Sequence, residues 1–200
     1  MPRLLLALTL ALGWLPLAAL AGAQQYERLA ASVQAAMSAD IADRAPVSLQ
    51  FERSEDGRKW LADMSVRLLR RIPDRKTRTD FLAAVHYEAR RAGLDTQMVL
   101  GLIQVESGFK KYAVSSAGAR GFMQVMPFWV GIIGKKNDNL FSLRLNLRYG
   151  CVILRHYLDI EKGDYYRALG RYNGSLGRPE YPNAVQAAWK TNWRYDGKLS

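Results

Sequence analysis

Glu106 is the side chain in this sequence that is best placed for acid–base chemistry. It ends an apolar stretch and precedes a loop of small residues. The apolar residues in that stretch are Val99, Leu100, Leu102, Ile103 and Val105. Asp95 or Thr96 can cap the start of a helix and Gly108 can end it, so the sequence predicts a helix over 96–107.

The environment predicted for Glu106 favours the protonated carboxyl. Glu106 would lie in the last turn of the helix, near the negative end of the helix dipole. That dipole and the apolar surroundings both disfavour the carboxylate, so we expect its pKa to be raised. A carboxyl with a raised pKa can act as a general acid near neutral pH. The alternative interpretation, which spacing alone leaves open, is a solvent-facing Glu on an amphipathic helix.

The segment from Glu106 to Pro127 follows a pattern of fixed spacing: Glu-Ser-x-Phe, Ala-x-Ser, then Gly-Ala-x-Gly-x-Met-Gln-x-Met-Pro. The matching residues are Glu106, Ser107, Phe109, Ala113, Ser115, Gly118, Ala119, Gly121, Met123, Gln124, Met126 and Pro127. This pattern resembles the signature of the lytic transglycosylases related to the C-terminal domain of the soluble bacterial enzyme. Twelve positions within 22 residues are a far more specific match than a short motif.

Two later stretches resemble the same family, so that the resemblance covers about residues 81–193. Residues 146–150 (Asn-Leu-Arg-Tyr-Gly) are similar to its helix-start motif, and 171–174 (Arg-Tyr-Asn-Gly) to its Tyr-Asn motif. The chain departs from the family at Tyr112, where many members have Asn. It also departs beside Tyr172, where Ala-Tyr-Asn-Ala-Gly is common, so the shape of that subsite is not predicted.

The N-terminus has the features of an export signal. A basic residue, Arg3, precedes an uncharged run over 4–20 and the sequence Ala21-Gly22-Ala23. This order predicts a signal peptide cleaved after Ala23 and a periplasmic or secreted protein. An uncleaved membrane anchor is the alternative, because the run is long. No Cys follows the apolar core, which argues against a lipoprotein anchor.

The charge of the chain indicates an anionic partner. The formal net charge is +11, and loss of Arg3 with the leader would leave +10. For an exported protein this favours a cell wall or membrane surface over nucleic acid, which we do not expect as a partner. The basic pairs at 70–71 and 90–91 are interpreted as solvated helix faces. The sequence does not identify a protein partner.

Cysteine and histidine usage predicts neither a metal nor a cofactor. Cys151 is the only cysteine in the sequence, and its position on a helical face predicts a small buried hydrophobic residue. His86 and His156 lack the spacing of metal ligands. No phosphate-binding glycine loop or serine nucleophile motif is found.

The organisation of the chain predicts a mainly α protein. Helices are expected over 77–92 with Thr77 and Asp80 as a capping box, over 145–161, and from the cap Asp164 to Tyr172. Pro179 and Pro182 are expected to bound a loop before a last helix. The predicted division is a signal peptide (1–23), a helical extension and linker (24–57) and a catalytic domain (58–200). The extension could pack on that domain or dock on a partner.

The resemblance implies a lysozyme-like α+β fold, shared with goose-type lysozymes, with a small irregular sheet or loop region after the Glu106 helix. It implies a lytic transglycosylase that cleaves the β-1,4 bond between N-acetylmuramic acid and N-acetylglucosamine in peptidoglycan. Glu106 would act first as acid and then as base, and the product would carry a 1,6-anhydromuramyl end. Asp159, Glu161, Asp164 and Glu180 match no family motif.

The resemblance also assigns the substrate contacts. Ser115 and Gln124 would bind acetamido groups, Met123 would pack on sugar carbons, and Tyr172 would donate to the reacting sugar or to Glu106. Each has a structural alternative, in which Ser115 caps a turn and Met123 and Tyr172 fill the core. Two other functions remain open: a hydrolytic goose-type muramidase, which needs a second carboxylate, and a non-catalytic wall-binding module.

Overall fold

The computed structural model describes residues 24–43, 51 and 54–197. Over this part of the chain the backbone forms eight α-helices followed by a short π-helical turn. The helices are α1 (Ala31–Ala42), α2 (Glu55–Leu68), α3 (Arg75–Arg91), α4 (Thr96–Ser107), α5 (Phe128–Ile133), α6 (Leu143–Ile160), α7 (Tyr165–Asn173) and α8 (Glu180–Ala187), and the π-helical turn is Ala188–Asn192. The predicted mainly α class is confirmed. The predicted leader over 1–23 lies outside the described residues.

Helix α4 lies at the centre of the fold. Ten of its twelve residues are buried, and it packs against α3, α8 and the π-helical turn. Gly101 permits a close approach of the π-helical turn, because a Cβ atom at this position would lie 2.9 Å from the backbone nitrogen of Trp189. The carboxyl end of α4 is thereby fixed by helices that follow it by some 70 residues or more.

Short polar side chains cap the starts of four helices. Their oxygens accept from backbone N–H groups in the pairs Ser54 and Gly57, Asp74 and Thr77, Asp95 and Met98, and Asp164 and Arg167. The predicted cap at Thr77 is wrong. Asp74 takes the N–H of Thr77 at 2.7 Å, so α3 begins at Arg75.

The segment after α4 is an irregular bridged loop. Antiparallel bridges join Val114 to Arg120 and Arg120 to Val125. A small irregular sheet or loop region was predicted after the Glu106 helix. In the described structure this region is a loop with two isolated bridges. Gly118 and Gly121 have φ values of 87° and 78°, which explains why the loop is rich in glycine.

The N-terminal extension packs on the rest of the chain. Helix α1 contacts α5 and α6, and the Gln34 side chain donates to the carbonyl of Ile132 at 2.8 Å. Arg91 holds the residue that follows α1, with its Nε 3.0 Å from the Asp43 carboxylate. Helix α2 begins at Glu55, within the predicted linker. The boundary at residue 58 stays a prediction.

The interior of the described structure contains a cysteine and a buried ion pair. Cys151 is 1% exposed and lies in the core, as predicted for a small hydrophobic residue. Glu88 and Arg148, both buried, join α3 to α6 through paired hydrogen bonds of 2.9 and 3.1 Å. No helix in the described ranges has the length and apolar character needed to cross a membrane.

Candidate active site

Glu106 lies in the last turn of α4, where the sequence places it. Helix α4 spans Thr96–Ser107 as predicted, with Asp95 as its cap and Gly108 in the left-handed conformation at φ 56°. The Glu106 residue is only 8% exposed, so the alternative of a solvent-facing Glu is wrong. The next residue, Ser107, donates its hydroxyl to the Ile103 carbonyl at 3.2 Å.

Burial changes the acid–base behaviour of Glu106. Removal from water raises the pKa of its carboxyl from 4.5 to about 8, while a hydrogen bond from Tyr181 opposes the rise. The Tyr181 hydroxyl donates to Oε1 of Glu106 at 2.5 Å. A carboxyl with this pKa is mostly protonated at pH 7 and can release its proton to a substrate. The direction of the shift agrees with the prediction from the apolar helix.

Sequence reasoning missed Tyr181. The pair Pro179 and Pro182 suggested a loop, but α8 runs from Glu180 to Ala187 and contains Pro182 in its first turn. Proline is tolerated there because the first N–H groups of a helix have no intrahelical acceptor. Tyr181 is therefore held on a helix that packs against α4. The available signal was the need of a buried carboxyl for a hydrogen-bond donor.

Tyr181→Phe should raise the pKa of Glu106 above about 8. The phenol stabilises the charged carboxylate, and a hydrogen bond to a charged group contributes about 1.5 to 3 kcal/mol, equivalent to roughly 1 to 2 pH units. Carbon-detected NMR titration of the Glu106 carboxyl measures this directly. Tyr166→Phe removes the hydroxyl of a partly exposed tyrosine on α7 and should leave the titration unchanged. A midpoint unaltered by Tyr181→Phe would contradict the assignment.

Tyr172 lies beside Glu106 but is not its hydrogen-bond donor. Its hydroxyl donates to the Met123 carbonyl at 2.7 Å, and the residue is fully buried. Burial raises the pKa of Tyr172 well above its usual value, and the nearby charge of Glu106 raises it further. The expected donation from Tyr172 to Glu106 is replaced in this structure by the bond from Tyr181. A contact between Tyr172 and substrate stays a prediction.

Met123 is fully buried in the described structure. Its sulfur packs on Gly150 of α6, where a Cβ atom would lie 2.4 Å from Sδ. A sugar could therefore contact the Met123 side chain only after neighbouring groups move. The backbone of Met123 is held from both sides, because its N–H donates to Asn146 and its carbonyl accepts from Tyr172.

Gln124 and Ser115 both contribute to the folding of the bridged loop. The Gln124 amide nitrogen donates to the carbonyls of Ala113 and Gly121 at 3.1 and 2.8 Å, and its backbone has φ 49°. The Ser115 hydroxyl accepts from the N–H of Ala119 at 3.1 Å. Ser115 thus caps a turn, as its structural alternative states. Binding of acetamido groups by these two residues stays a prediction.

Asn146 attaches the bridged loop to α6. Its amide nitrogen donates to the carbonyls of Arg120 and Leu140, both at 2.9 Å, and its amide oxygen accepts from the N–H of Met123 at 2.9 Å. Asn146 is fully buried. The sequence marked it only as the first residue of a helix-start motif, but it fixes the loop beside the Glu106 helix.

A separate cavity of about 740 Å³ lies between α1 and α6. Met37 and His156 line it, whereas Glu106 and the predicted substrate-binding residues do not. Within the described ranges, no group of three or more His, Cys, Asp or Glu side chains could hold a metal ion.

The helical fold, the buried carboxyl at the end of α4 and the bridged loop define a lysozyme-like protein of mainly α class. The sequence pattern of the family described as "Transglycosylase SLT domain" matches residues 83–192, which is more than half of the chain. The chain belongs to this family. The resemblance read from residues 106–127 is thereby confirmed.

Curated relatives match part of the chain. A membrane-bound lytic murein transglycosylase C from Glaesserella parasuis is 45% identical over 117 residues, covering 48% of this chain and 31% of the relative. A protein of the same name from Mannheimia succiniciproducens is 36% identical over 83 residues, covering 42% and 23%. The matched region therefore spans about a third or less of these relatives.

Proposed function

We propose that this protein is a peptidoglycan lytic transglycosylase, with the β-1,4 bond between N-acetylmuramic acid and N-acetylglucosamine as its substrate. The observation that carries the proposal is the buried Glu106 carboxyl, with its pKa raised to about 8 beside the family's bridged loop. Membership of the transglycosylase SLT domain family supports the same reaction class.

In the first half of the proposed reaction, Glu106 acts as a general acid. It donates its proton to the glycosidic oxygen while the bond from that oxygen to the anomeric carbon breaks. The Tyr181 hydroxyl, 2.5 Å from Oε1, stabilises the carboxylate that remains. The donated hydrogen bond also orients the carboxyl, because Tyr181 is 2% exposed and fixed on α8.

In the second half, the Glu106 carboxylate acts as a base. It takes the proton of the 6-hydroxyl of the muramic sugar while that oxygen bonds to the anomeric carbon. The carboxyl returns to its starting protonation state, and no water is consumed. An internal nucleophile is effective because it needs no second molecule to be positioned.

The described structure supports a reaction with one carboxylate. Hydrolytic glycosidases usually need two. Burial and Tyr181 account for the pKa of Glu106, and no other described carboxylate contributes to it. Three of the four acids named in the sequence analysis as matching no motif have structural roles: Asp159 pairs with Arg155, Glu161 pairs with Arg167 and Arg171, and Asp164 caps α7.

We assign substrate contacts to the bridged loop. The two hydrogen bonds from the Gln124 amide nitrogen fix the amide, whose oxygen can accept an acetamido N–H. The Ser115 hydroxyl already accepts from Ala119 and retains its own proton for a substrate oxygen. Tyr172 and Met123 are fully buried. They would contact a sugar only if the groups around them moved.

The proposed site of action is the bacterial envelope. The predicted signal peptide over 1–23 would export the chain, and the net charge of +11, or +10 once Arg3 is lost with the leader, suits an anionic wall or membrane surface. The relatives from Glaesserella and Mannheimia carry the words "membrane-bound" in their names.

The products should carry 1,6-anhydromuramic ends in place of reducing ends. Because the sugar's own hydroxyl attacks, each new end should be lighter than its hydrolytic equivalent by one water. Digestion of purified peptidoglycan in ¹⁸O-labelled water, followed by mass analysis, checks this. Reducing ends that carry the label would instead identify a hydrolytic muramidase. Absence of cleavage by the purified protein would leave only the wall-binding function.

A further inference from the structure

An aromatic–cation cluster lies on the bridged loop and the segment that follows α5. It consists of Lys111, Tyr112, Arg120 and Phe141. Between Ser107 and Asn137 the sequence contains five basic residues and no carboxylate. None of the roles given above to the loop requires this charge.

The geometry of the cluster places two cations against two aromatic rings. The ring centroids of Tyr112 and Phe141 are 5.7 Å apart. The Lys111 ammonium lies 5.1 Å from the Tyr112 ring centroid, and the Arg120 guanidinium lies 6.0 Å from that of Phe141. Tyr112 is 70% exposed. The cluster thus presents an apolar surface flanked by positive charge.

The cations of the cluster contact aromatic rings but no carboxylate within the described structure. Lys111 and Arg120 form no ion pair with a described carboxylate, whereas Arg91, Arg148 and Arg171 each do. An exposed cation without a carboxylate partner can pair with an anion of a ligand at little desolvation cost.

The cluster is rigidly connected to the proposed substrate contacts. Ala113, which follows Tyr112, accepts from the Gln124 amide at 3.1 Å and from the N–H of Gly121 at 2.9 Å. The backbone of Arg120 exchanges two hydrogen bonds with Val125. The cluster therefore keeps a fixed position relative to Gln124.

We propose that the aromatic–cation cluster binds the carboxylates of the peptide attached to the muramic sugars. This inference rests on the proposed function. A glycan chain without its peptides offers acetamido and hydroxyl groups and only the lactyl carboxylate of each muramic sugar. The peptide supplies carboxylates for Lys111 and Arg120 and methyl groups for the ring of Tyr112. The protein accordingly prefers strands that carry peptides over strands from which the peptides have been removed.

Steady-state kinetics on two substrates test the proposal. Peptide-bearing glycan strands are compared with strands stripped by an amidase, which retain only the carboxylate of the lactyl group. The wild-type chain should have the lower KM on peptide-bearing strands at low salt, and the difference should shrink as salt screens the charges. Lys111→Gln and Arg120→Gln should each raise that KM by about twofold to fivefold, with kcat unchanged.

The matched control is Lys190→Gln. Lys190 lies with Asp95 at the opposite end of α4 from Glu106, and the same substitution removes the same charge. It should leave the preference intact. Equal KM values of the wild-type chain on both substrates would overturn the proposal. So would equal losses from Lys111→Gln and Lys190→Gln, which would indicate a response to net charge alone.

Two further outcomes separate other ligands. A Lys111→Gln defect of equal size on both kinds of strand would assign the cluster to sugar or lactyl binding and overturn the peptide assignment. Loss of binding to anionic lipid vesicles, without a change in KM, would assign it to a membrane surface. Cleavage of strands by Glu106→Gln would contradict the proposed function. The preference for peptide-bearing strands is measured separately, on the wild-type chain, so the two proposals can fail independently.

Discussion

Replacing Glu106 by Gln should lower the rate of peptidoglycan cleavage by about 10² to 10⁴. The carboxyl serves both halves of the proposed reaction, because it donates the proton to the glycosidic oxygen and then takes the proton of the 6-hydroxyl. Gln has nearly the same shape, and its oxygen can still accept the hydrogen bond from Tyr181, which lies 2.5 Å from Oε1 in this structure. The fold should therefore persist.

The measurement is release of soluble fragments from purified peptidoglycan, with circular dichroism as the check on folding. Glu180→Gln is the control, because Glu180 is the exposed carboxylate next to Tyr181. This control should cleave at the wild-type rate. Clearing of peptidoglycan by Glu106→Gln at the wild-type rate would remove Glu106 from the proposed mechanism.

The sequence was sufficient to predict the helix that carries the Glu106 carboxyl. The bounds of α4, its cap Asp95 and its end at Gly108 all depend on residues within one turn of each helix terminus. The burial of Glu106 followed from the apolar residues before it. Local patterns of this kind can be recognised from the sequence, because the interacting groups are three or four positions apart.

The partners of the site could not be predicted in the same way. Tyr181 contacts Glu106 across 75 positions, and Asn146 contacts Met123 across 23. Such contacts depend on how the helices pack in three dimensions. The spacing of residues along the sequence does not reveal that packing. The family motif marked Asn146 and Tyr172, but it did not indicate that Asn146 holds the loop or that Tyr172 donates to Met123.

Two local errors also have physical reasons. Thr77 and Asp80 have the spacing of a capping box, but Asp74 competes for the same N–H and begins α3 earlier. Pro182 was interpreted as a loop boundary, although proline is acceptable within the first turn of a helix. In both cases a correct local rule was applied a few residues from the true helix start.

Glu106→Gln should also make the protein more stable at pH 8 than the wild type. The pKa of Glu106 is raised from 4.5 to about 8 by burial. Below pH 4.5 the carboxyl is protonated in both the folded and unfolded chains, so its ionisation does not change the free energy of unfolding. Between pH 4.5 and about 8 the unfolded chain is ionised while the folded chain holds its proton, so wild-type stability falls by about 1.4 kcal/mol per pH unit. Gln does not ionise, so Glu106→Gln does not lose this stability as the pH rises.

The test is the difference in the free energy of unfolding between Glu106→Gln and the wild type, measured by urea denaturation from pH 4.5 to 9. The difference should increase with pH and level off above about 8, at a value on the order of 5 kcal/mol. Other titrating groups, such as His86 with its pKa lowered to about 4 by burial, are common to both proteins and cancel in the difference. A difference that stays constant over this range would mean that Glu106 ionises in the folded chain as it does in the unfolded one. The carboxyl would then be a base at neutral pH and could not supply the proton that the proposed reaction needs.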